Sequence, residues 1–261
     1  MPGDPVLVEV KDRIGQITLN RPENRNSMDY EVLPAFREAI FNLKSDRDLR
    51  CVIITGSGKS FCSGADFKSS MSVENDKRMP QEVVMDFYRP FLDIQEFEIP
   101  TIAAMNGHAI GGGFGLALIC DIRIANKNSK YGANFTRLGL HSGMAISYML
   151  PRIVGLPVAN ELLYTGRLIN GDEAANIGLA NYSMEDNKVL DKSWELAREI
   201  EACAPAAVRM IKSSIYRGLD WNPTKAAEYE SHCQSRTFEM EDAKEGIRAL
   251  LEKRSPNFQG Q

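Results

Sequence analysis

The stretch that most constrains this chain runs from residue 101 to residue 121. It opens with the apolar run Thr101-Ile102-Ala103-Ala104-Met105, passes three consecutive glycines at 111, 112 and 113, and continues through Phe114 to Cys120 without a breaker. The apolar run reads as a short buried strand, and the segment after the glycines as a buried helix. Glycine permits a positive φ and lets another group come close. The first turn of a helix carries unpaired N–H groups and the positive end of its dipole. Such a junction can hold an oxyanion, a phosphate or a polarised carbonyl. Three readings compete for it. Close packing of helix on sheet needs only the small residues. A dinucleotide site needs G-x-G-x-x-G, and the spacing here is wrong. An oxyanion hole fits best, because it needs glycine at the helix start and apolar walls.

A second turn of the same kind follows Cys51-Val52-Ile53-Ile54-Thr55, a continuous apolar run expected of a strand buried on both faces. Gly58-Lys59-Ser60 resembles part of a phosphate-binding loop, but the glycine such a loop needs five residues earlier is Ile53, inside the strand. The informative part is Ser63-Gly64-Ala65-Asp66, a small-residue turn. If the two strands are parallel neighbours, both turns lie at one end of the sheet, where α/β proteins bind ligands.

Around this centre the pattern is that of an α/β protein. Residues 5–10 and 14–19 alternate apolar and polar and predict a hairpin at the sheet edge. Residues 28–43 and 82–97 have helical spacing, the second kinked at Pro90. Residues 69–82 are polar and read either as a mobile segment beside the site or as a plain surface loop, and residues 122–125 as a short strand. Helices are expected over 145–154, 158–166 and from 171, where Asp172 and Glu173 favour the N-terminus. Beyond about residue 188 nothing reads as a strand, and 194–203, 205–218, 224–239 and 242–253 are amphipathic. The division expected is 1–195 for the strand-containing core and 196–261 for a helical tail.

Composition removes several function classes. A net charge of −4 has the wrong sign for a nucleic-acid binder. No apolar run reaches membrane-spanning length, and Met1-Pro2-Gly3-Asp4 does not begin a secretory signal. Five scattered cysteines without a C-x-x-C read as reduced, mostly buried thiols, which together point to a cytoplasmic protein. No metal cluster is visible in the spacing of His, Cys, Asp and Glu.

Phe61-Cys62-Ser63-Gly64-Ala65-Asp66-Phe67-Lys68 and Asn106-Gly107-His108-Ala109-Ile110-Gly111-Gly112-Gly113 resemble the two signature stretches of the crotonase (enoyl-CoA hydratase/isomerase) superfamily. Cys120-Asp121-Ile122-Arg123-Ile124-Ala125, Leu150-Pro151-Arg152-Ile153-Val154-Gly155, Thr165-Gly166-Arg167 and Lys253-Arg254-Ser255-Pro256-Asn257-Phe258 extend the resemblance, in order, over essentially the whole chain. The resemblance implies an α/β fold of the crotonase/ClpP-like type, a spiral of ββα turns with a helical C-terminal trimerisation segment. It implies a homotrimer or dimer of trimers. It also implies an acyl-CoA thioester as ligand, with coenzyme A as part of the substrate and no separate cofactor. The thioester oxygen would accept from the backbone N–H groups of Ala65 and Gly112, stabilising an enolate. Coenzyme A contacts would fall around Asn24-Arg25-Asn26, with Arg25 as the basic residue, and on Ala65, Asp66, Phe67 and Lys68, where Lys68 would meet phosphates.

The chain also departs from that pattern. The two glutamates with which enoyl-CoA hydratases add water map onto Gly115 and Phe135. Residues 131–140 resemble the corresponding stretch of ring-epoxide phenylacetyl-CoA isomerases, and Ala145-Ile146-Ser147-Tyr148 that of chlorobenzoyl-CoA dehalogenases. The catalytic aspartate of both would fall at Gly143. None of these residues can carry a proton. His141, two residues before Gly143, is of a residue type suited to general acid or base work, with Ser142 beside it as a donor; a loop histidine capping backbone groups is the plainer alternative. Asp66 is expected to be structural or to face coenzyme A, Arg137 to pair with a surface acid, and His108 to point into packing. Met71, Phe114, Phe135 and Met144 suggest an apolar acyl pocket, although core packing accounts for them equally. Two functions follow: an acyl-CoA enzyme performing isomerisation, hydrolysis or another reaction in place of ordinary hydration, or an acyl-CoA-binding protein without catalysis. RNA binding, a third class, conflicts with the acidic balance.

Overall fold

A computed structural model of the chain describes residues 3–65 and 77–260. The hairpin is present as β1 (Val6–Lys11) and β2 (Ile14–Leu19), with β1 at the sheet edge. Helix α1 (Val32–Ser45) starts later than its spacing suggests. The reason is Asp29, whose Oδ1 accepts from the N–H groups of Glu31 and Val32, both at 2.9 Å, and so caps the first turn.

From there the chain winds through a repeat. Strand β3 (Cys51–Gly56) is followed by β4 (Ser60–Cys62), β5 (Thr101–Met105) by β6 (His108–Ile110), and β7 (Ile122–Asn126) by β8 (Tyr131–Gly132). The first of each pair joins a six-stranded sheet, in which β2, β3, β5 and β7 run parallel; the second joins a three-stranded parallel sheet, β4-β6-β8. Helix α2 (Pro80–Leu92) leads from the first pair to the second, and α3 (Gly112–Ile119) from the second to the third. This is the spiral of ββα turns implied by the resemblance. The sequence pattern read the stretch from Thr101 to Cys120 as one strand and one helix. It missed β6, and likewise β4 and β8, because two or three residues are too few to show a period. The helix expected over 82–97 ends at Leu92 and continues as a 3-10 turn, Asp93–Glu96.

Side chains hold the three turns in line. Asn106 Oδ1 accepts from Gly56 N (3.0 Å) and Thr55 Oγ1 (3.2 Å), and its Nδ2 donates to Gly58 O (3.0 Å). Asn126 Nδ2 in turn donates to Asn106 O at 2.8 Å. Each bond joins one winding to the next, so the turns leaving β3, β5 and β7 are held at the same end of the sheet.

After a 3-10 turn, Asn134–Leu138, come α4 (Ile146–Val154), α5 (Leu156–Thr165), α6 (Gly171–Asn176), the outer strand β9 (Tyr182–Met184) and α7 (Val189–Glu201). The expected boundary at residue 195 falls inside α7. Val189 and Ala197 of this helix pack on Ile14, Cys51, Ile53, Ile102, Ala104 and Ile124. The helix therefore covers one face of the large sheet, while Val52, Ile54, Ala103 and Met105 face the main core on the other. This is why β3 is buried along its full length, as its unbroken apolar run predicts.

The last three helices are α8 (Pro205–Gly218), α9 (Pro223–Phe238) and α10 (Glu241–Glu252). Helix α8 is tied to the core by a carboxylate and by donation from Arg209 Nη2 to Arg47 O and from Lys212 Nζ to Ile99 O. Asp121 Oδ2 accepts from Thr101 N (2.7 Å), Thr101 Oγ1 (2.8 Å) and Lys212 Nζ (2.8 Å), and Oδ1 from the Tyr216 hydroxyl. The ion-paired side chains of Lys212 and Asp121 are only 11% and 16% exposed. Asp121→Ala is therefore expected to cost about 2 kcal/mol, between an exposed pair and a fully buried one. A urea midpoint unchanged by the substitution would show that α8 docks without this tie. Three cysteines, 51, 62 and 120, are buried, while Cys203 is exposed and Cys233 intermediate. No helix among the described residues is long and apolar enough to cross a membrane.

Candidate active site

The two small-residue turns meet. Gly64, with φ of +84°, turns the chain after β4; Gly111, with φ of +55°, turns it after β6. Both conformations favour glycine. The first turn is clamped by the preceding loop: Ser63 N donates to Arg25 O (3.1 Å) and Met28 N to Gly64 O (2.8 Å). The second is anchored by Gly111 N, which donates to Gly132 O at 2.9 Å.

A Cβ built on Gly112 would lie 3.7 Å from Ala65 N, and one built on Gly64 would lie 2.7 Å from Gly112 N. The two amides are thus adjacent, one on a loop and one at the N-terminus of α3. Neither has a hydrogen-bond partner among the described residues. Gly113 is the hinge of this approach, since its Cβ would stand 2.0 Å from Cys62 O. Only a chain without a side chain there lets α3 rest against β4. Cys62 itself is inert: burial pushes its thiol up to about 12, and Sγ accepts from Gly64 N at 3.4 Å.

The wall beyond Gly112 is apolar. Gly115 lies one turn further along the same face of α3. A Cβ there would meet Met144 Cβ at 2.5 Å, so Met144, only 2% exposed, fills the space of the missing side chain. Phe135 is half-buried, with its ring edge 3.7 Å from a Cβ built on Gly111. Phe114 is core, and Met71 lies outside the described residues. Beside Met144, a Cβ on Gly143 would lie 2.2 Å from the hydroxyl oxygen of Tyr88 on α2. Tyr88 gave no signal in the sequence, because one aromatic residue in an amphipathic helix looks like packing.

His141 is exposed, in the loop between the 3-10 turn and α4. Its Nδ1 donates to Ser142 O at 2.6 Å, which leaves Nε2 with the free lone pair. No hydrogen bond among the described residues links it to either glycine turn. Arg25 is exposed, with its backbone under the Ser63 turn. Asn26 is buried and structural: Nδ2 donates to Ser57 O and Ser60 O, and Oδ1 accepts from Arg21 N. Asp66, Phe67 and Lys68 lie outside the described residues.

Two expectations are corrected. His108 does not point into packing; it is exposed, and its Nδ1 accepts from Lys130 N at 2.9 Å. Desolvation, then the positive charges of Lys130 and Arg25, push its pKa down. Arg137 pairs with no acid among the described residues; its Nε donates to Thr165 O at 2.9 Å. The reason in both cases is a nearby unsatisfied backbone group that a short loop leaves within reach.

A cavity of about 760 Å³ lies elsewhere. It opens at the C-terminal end of α3, between Leu118, Asp121 and Arg152 of the core and Lys212, Tyr216 and Tyr229 of the tail. Among the described residues no three His, Cys, Asp or Glu side chains gather as metal ligands do.

A family model for enoyl-CoA hydratase/isomerase matches residues 9–261. The short-chain-enoyl-CoA hydratase of Clostridium acetobutylicum is 33% identical over 250 residues, covering 95% of both chains. The (E)-benzylidenesuccinyl-CoA hydratase of Thauera aromatica is 34% identical over 261 residues, covering 98% of this chain and 99% of that one. Among solved structures, the enoyl-CoA hydratase of Bacillus anthracis superposes with a TM-score of 0.93 at 31% identity, covering 98% of this chain and all of the other.

Proposed function

The chain belongs to the enoyl-CoA hydratase/isomerase family, as an enzyme acting on acyl-CoA, and on that premise we propose that it works through two backbone amides and an imidazole in place of a carboxylate pair. The N–H groups of Ala65 and Gly112 hold the thioester oxygen. Charge that collects on this oxygen as an enolate forms is stabilised there, and each donor is worth about 2.7–4 kcal/mol of barrier. The observation that carries the assignment is the adjacency of two amides with no partner of their own among the described residues.

His141 is the proton carrier in this proposal. With Nδ1–H held by the Ser142 carbonyl, Nε2 is the basic nitrogen. It takes a proton from a carbon conjugated with the thioester, the electron pair moves onto the carbonyl oxygen, and the same nitrogen returns the proton to a different carbon. The net result is an isomerised enoyl-CoA. One imidazole suffices for this relocation, whereas the two-carboxylate addition of water lacks its groups: Gly115 and Phe135 stand where the resemblance puts them, and Met144 has filled the space at Gly115.

Coenzyme A is assigned to Arg25 and Ala65 and, on the resemblance alone, to Asp66, Phe67 and Lys68 outside the described residues, and no further cofactor is invoked. The assembly proposed is a homotrimer or dimer of trimers. Leu250 and Leu251, 78% and 77% exposed in the single chain, belong to the apolar surface it would cover.

The test is a panel of 2-enoyl- and 3-enoyl-CoA thioesters. Interconversion of the two isomers is expected, falling about 10²-fold or more in His141→Ala. Conversion that is unchanged in this variant removes the histidine role. Tight binding without turnover across the panel leaves the non-catalytic acyl-CoA-binding alternative.

A further inference from the structure

We propose that Tyr88 reads the far end of the acyl group, donating a hydrogen bond to an oxygen that the substrate carries well beyond its thioester carbonyl. The proposal rests on the acyl-CoA assignment above and adds the substrate class, an oxygen-bearing acyl chain or ring.

The argument follows the wall of the site. Gly112 and Gly115 lie on one face of α3, about 4.5 Å apart along the axis. Met144 covers Gly115, and Gly143 precedes Met144. Against Gly143, and only because it has no side chain, stands the hydroxyl of Tyr88; a Cβ there would be 2.2 Å from the oxygen and 2.8 Å from Cζ. The hydroxyl is thus reached from Gly112 by way of Gly115, Met144 and Gly143, the line along which the acyl chain is proposed to run.

Two apolar side chains stand near it. Met144 lies next to Gly143, and the Phe87 ring stands edge-on to Tyr88 at 6.2 Å. The Tyr88 side chain is half-buried against the main core, and among the described residues its hydroxyl has no hydrogen-bond partner. Burial pushes its pKa up, so at neutral pH it is protonated and serves as a donor. One placed polar group in an apolar wall is how a pocket sets orientation and selectivity. A donor left without an acceptor disfavours any ligand that buries it unpaired.

The experiment is calorimetric binding of hexanoyl-CoA and of hexanoyl-CoA thioesters bearing a single hydroxyl at carbon 4, 5 or 6. At least one hydroxylated ligand is expected to bind about tenfold tighter than hexanoyl-CoA, and Tyr88→Phe is expected to abolish that advantage without weakening hexanoyl-CoA binding. Gly143→Ala, which displaces the hydroxyl without removing it, is expected to do the same. If hexanoyl-CoA binds and no hydroxylated ligand binds tighter, or if the advantage survives in Tyr88→Phe, the role of Tyr88 is overturned and the acyl-CoA assignment stands. If hexanoyl-CoA itself fails to bind, the acyl-CoA assignment falls and takes this proposal with it.

Discussion

Gly64→Ala is expected to lower kcat/KM for any thioester the wild-type chain converts by at least a hundredfold while the protein stays folded. Gly64 adopts φ of +84°, and its added methyl would lie 2.7 Å from Gly112 N and 2.9 Å from Ile110 O. It would press directly on one of the two amides assigned to the thioester oxygen. The neighbouring turn must shift, and loss of one such donor costs about 10²–10³ in rate. The left-handed conformation adds about 1–2 kcal/mol of backbone strain, which a domain with 5–15 kcal/mol of stability can absorb. Steady-state kinetics and a melting curve separate the two effects. Turnover within about threefold of wild type would mean that the Gly112 amide takes no part.

The second large effect is on stability. Gly113→Ala is expected to lose at least about 3 kcal/mol, at or above the upper end of overpacking. Its Cβ would stand 2.0 Å from Cys62 O and 2.5 Å from Cys62 C, so the obstacle is backbone, which cannot rotate away. Either α3 lifts off β4 or the small sheet opens. Gly178 is the control. Its φ is +75°, yet a Cβ there would meet nothing within 4 Å, so Gly178→Ala should lose only about 1–2 kcal/mol of strain. Urea unfolding followed by circular dichroism compares the two. Equal midpoints would mean that the contact with Cys62 relaxes at little cost.

Met144 leaves no room for a side chain at 115. It and Ala145 both take left-handed backbone angles, φ of +58° and +54°. Non-glycine residues adopt such angles at a cost of about 1–3 kcal/mol each. The return is that Met144 fills the space over Gly115. A glutamate at 115 alone would collide with it.

Periodicity and glycine placement made the large sheet legible. The unbroken run at Cys51–Gly56 and the alternation at Ile14–Leu19 announce a buried strand and a half-buried one. The three-stranded sheet was not legible, because β4, β6 and β8 are too short for a pattern. Helix α7 looks in sequence like its amphipathic neighbours, and only its contacts place it on the sheet. At the site, glycines at 64, 111, 112 and 113 marked where two turns needed positive φ or close approach, and His141 drew notice by its chemistry.

The sequence by itself determined the order of β1, β2, β3, β5, β7 and the helices, the two glycine turns and the family, since each rests on residues close along the chain. Only the tertiary structure decided what each turn faces. Ala65 meets Gly112, Met144 closes over Gly115, and Tyr88 arrives from α2 beside Gly143. These contacts join residues far apart in sequence, and their distances follow from how the windings of the spiral stack, which no local pattern encodes.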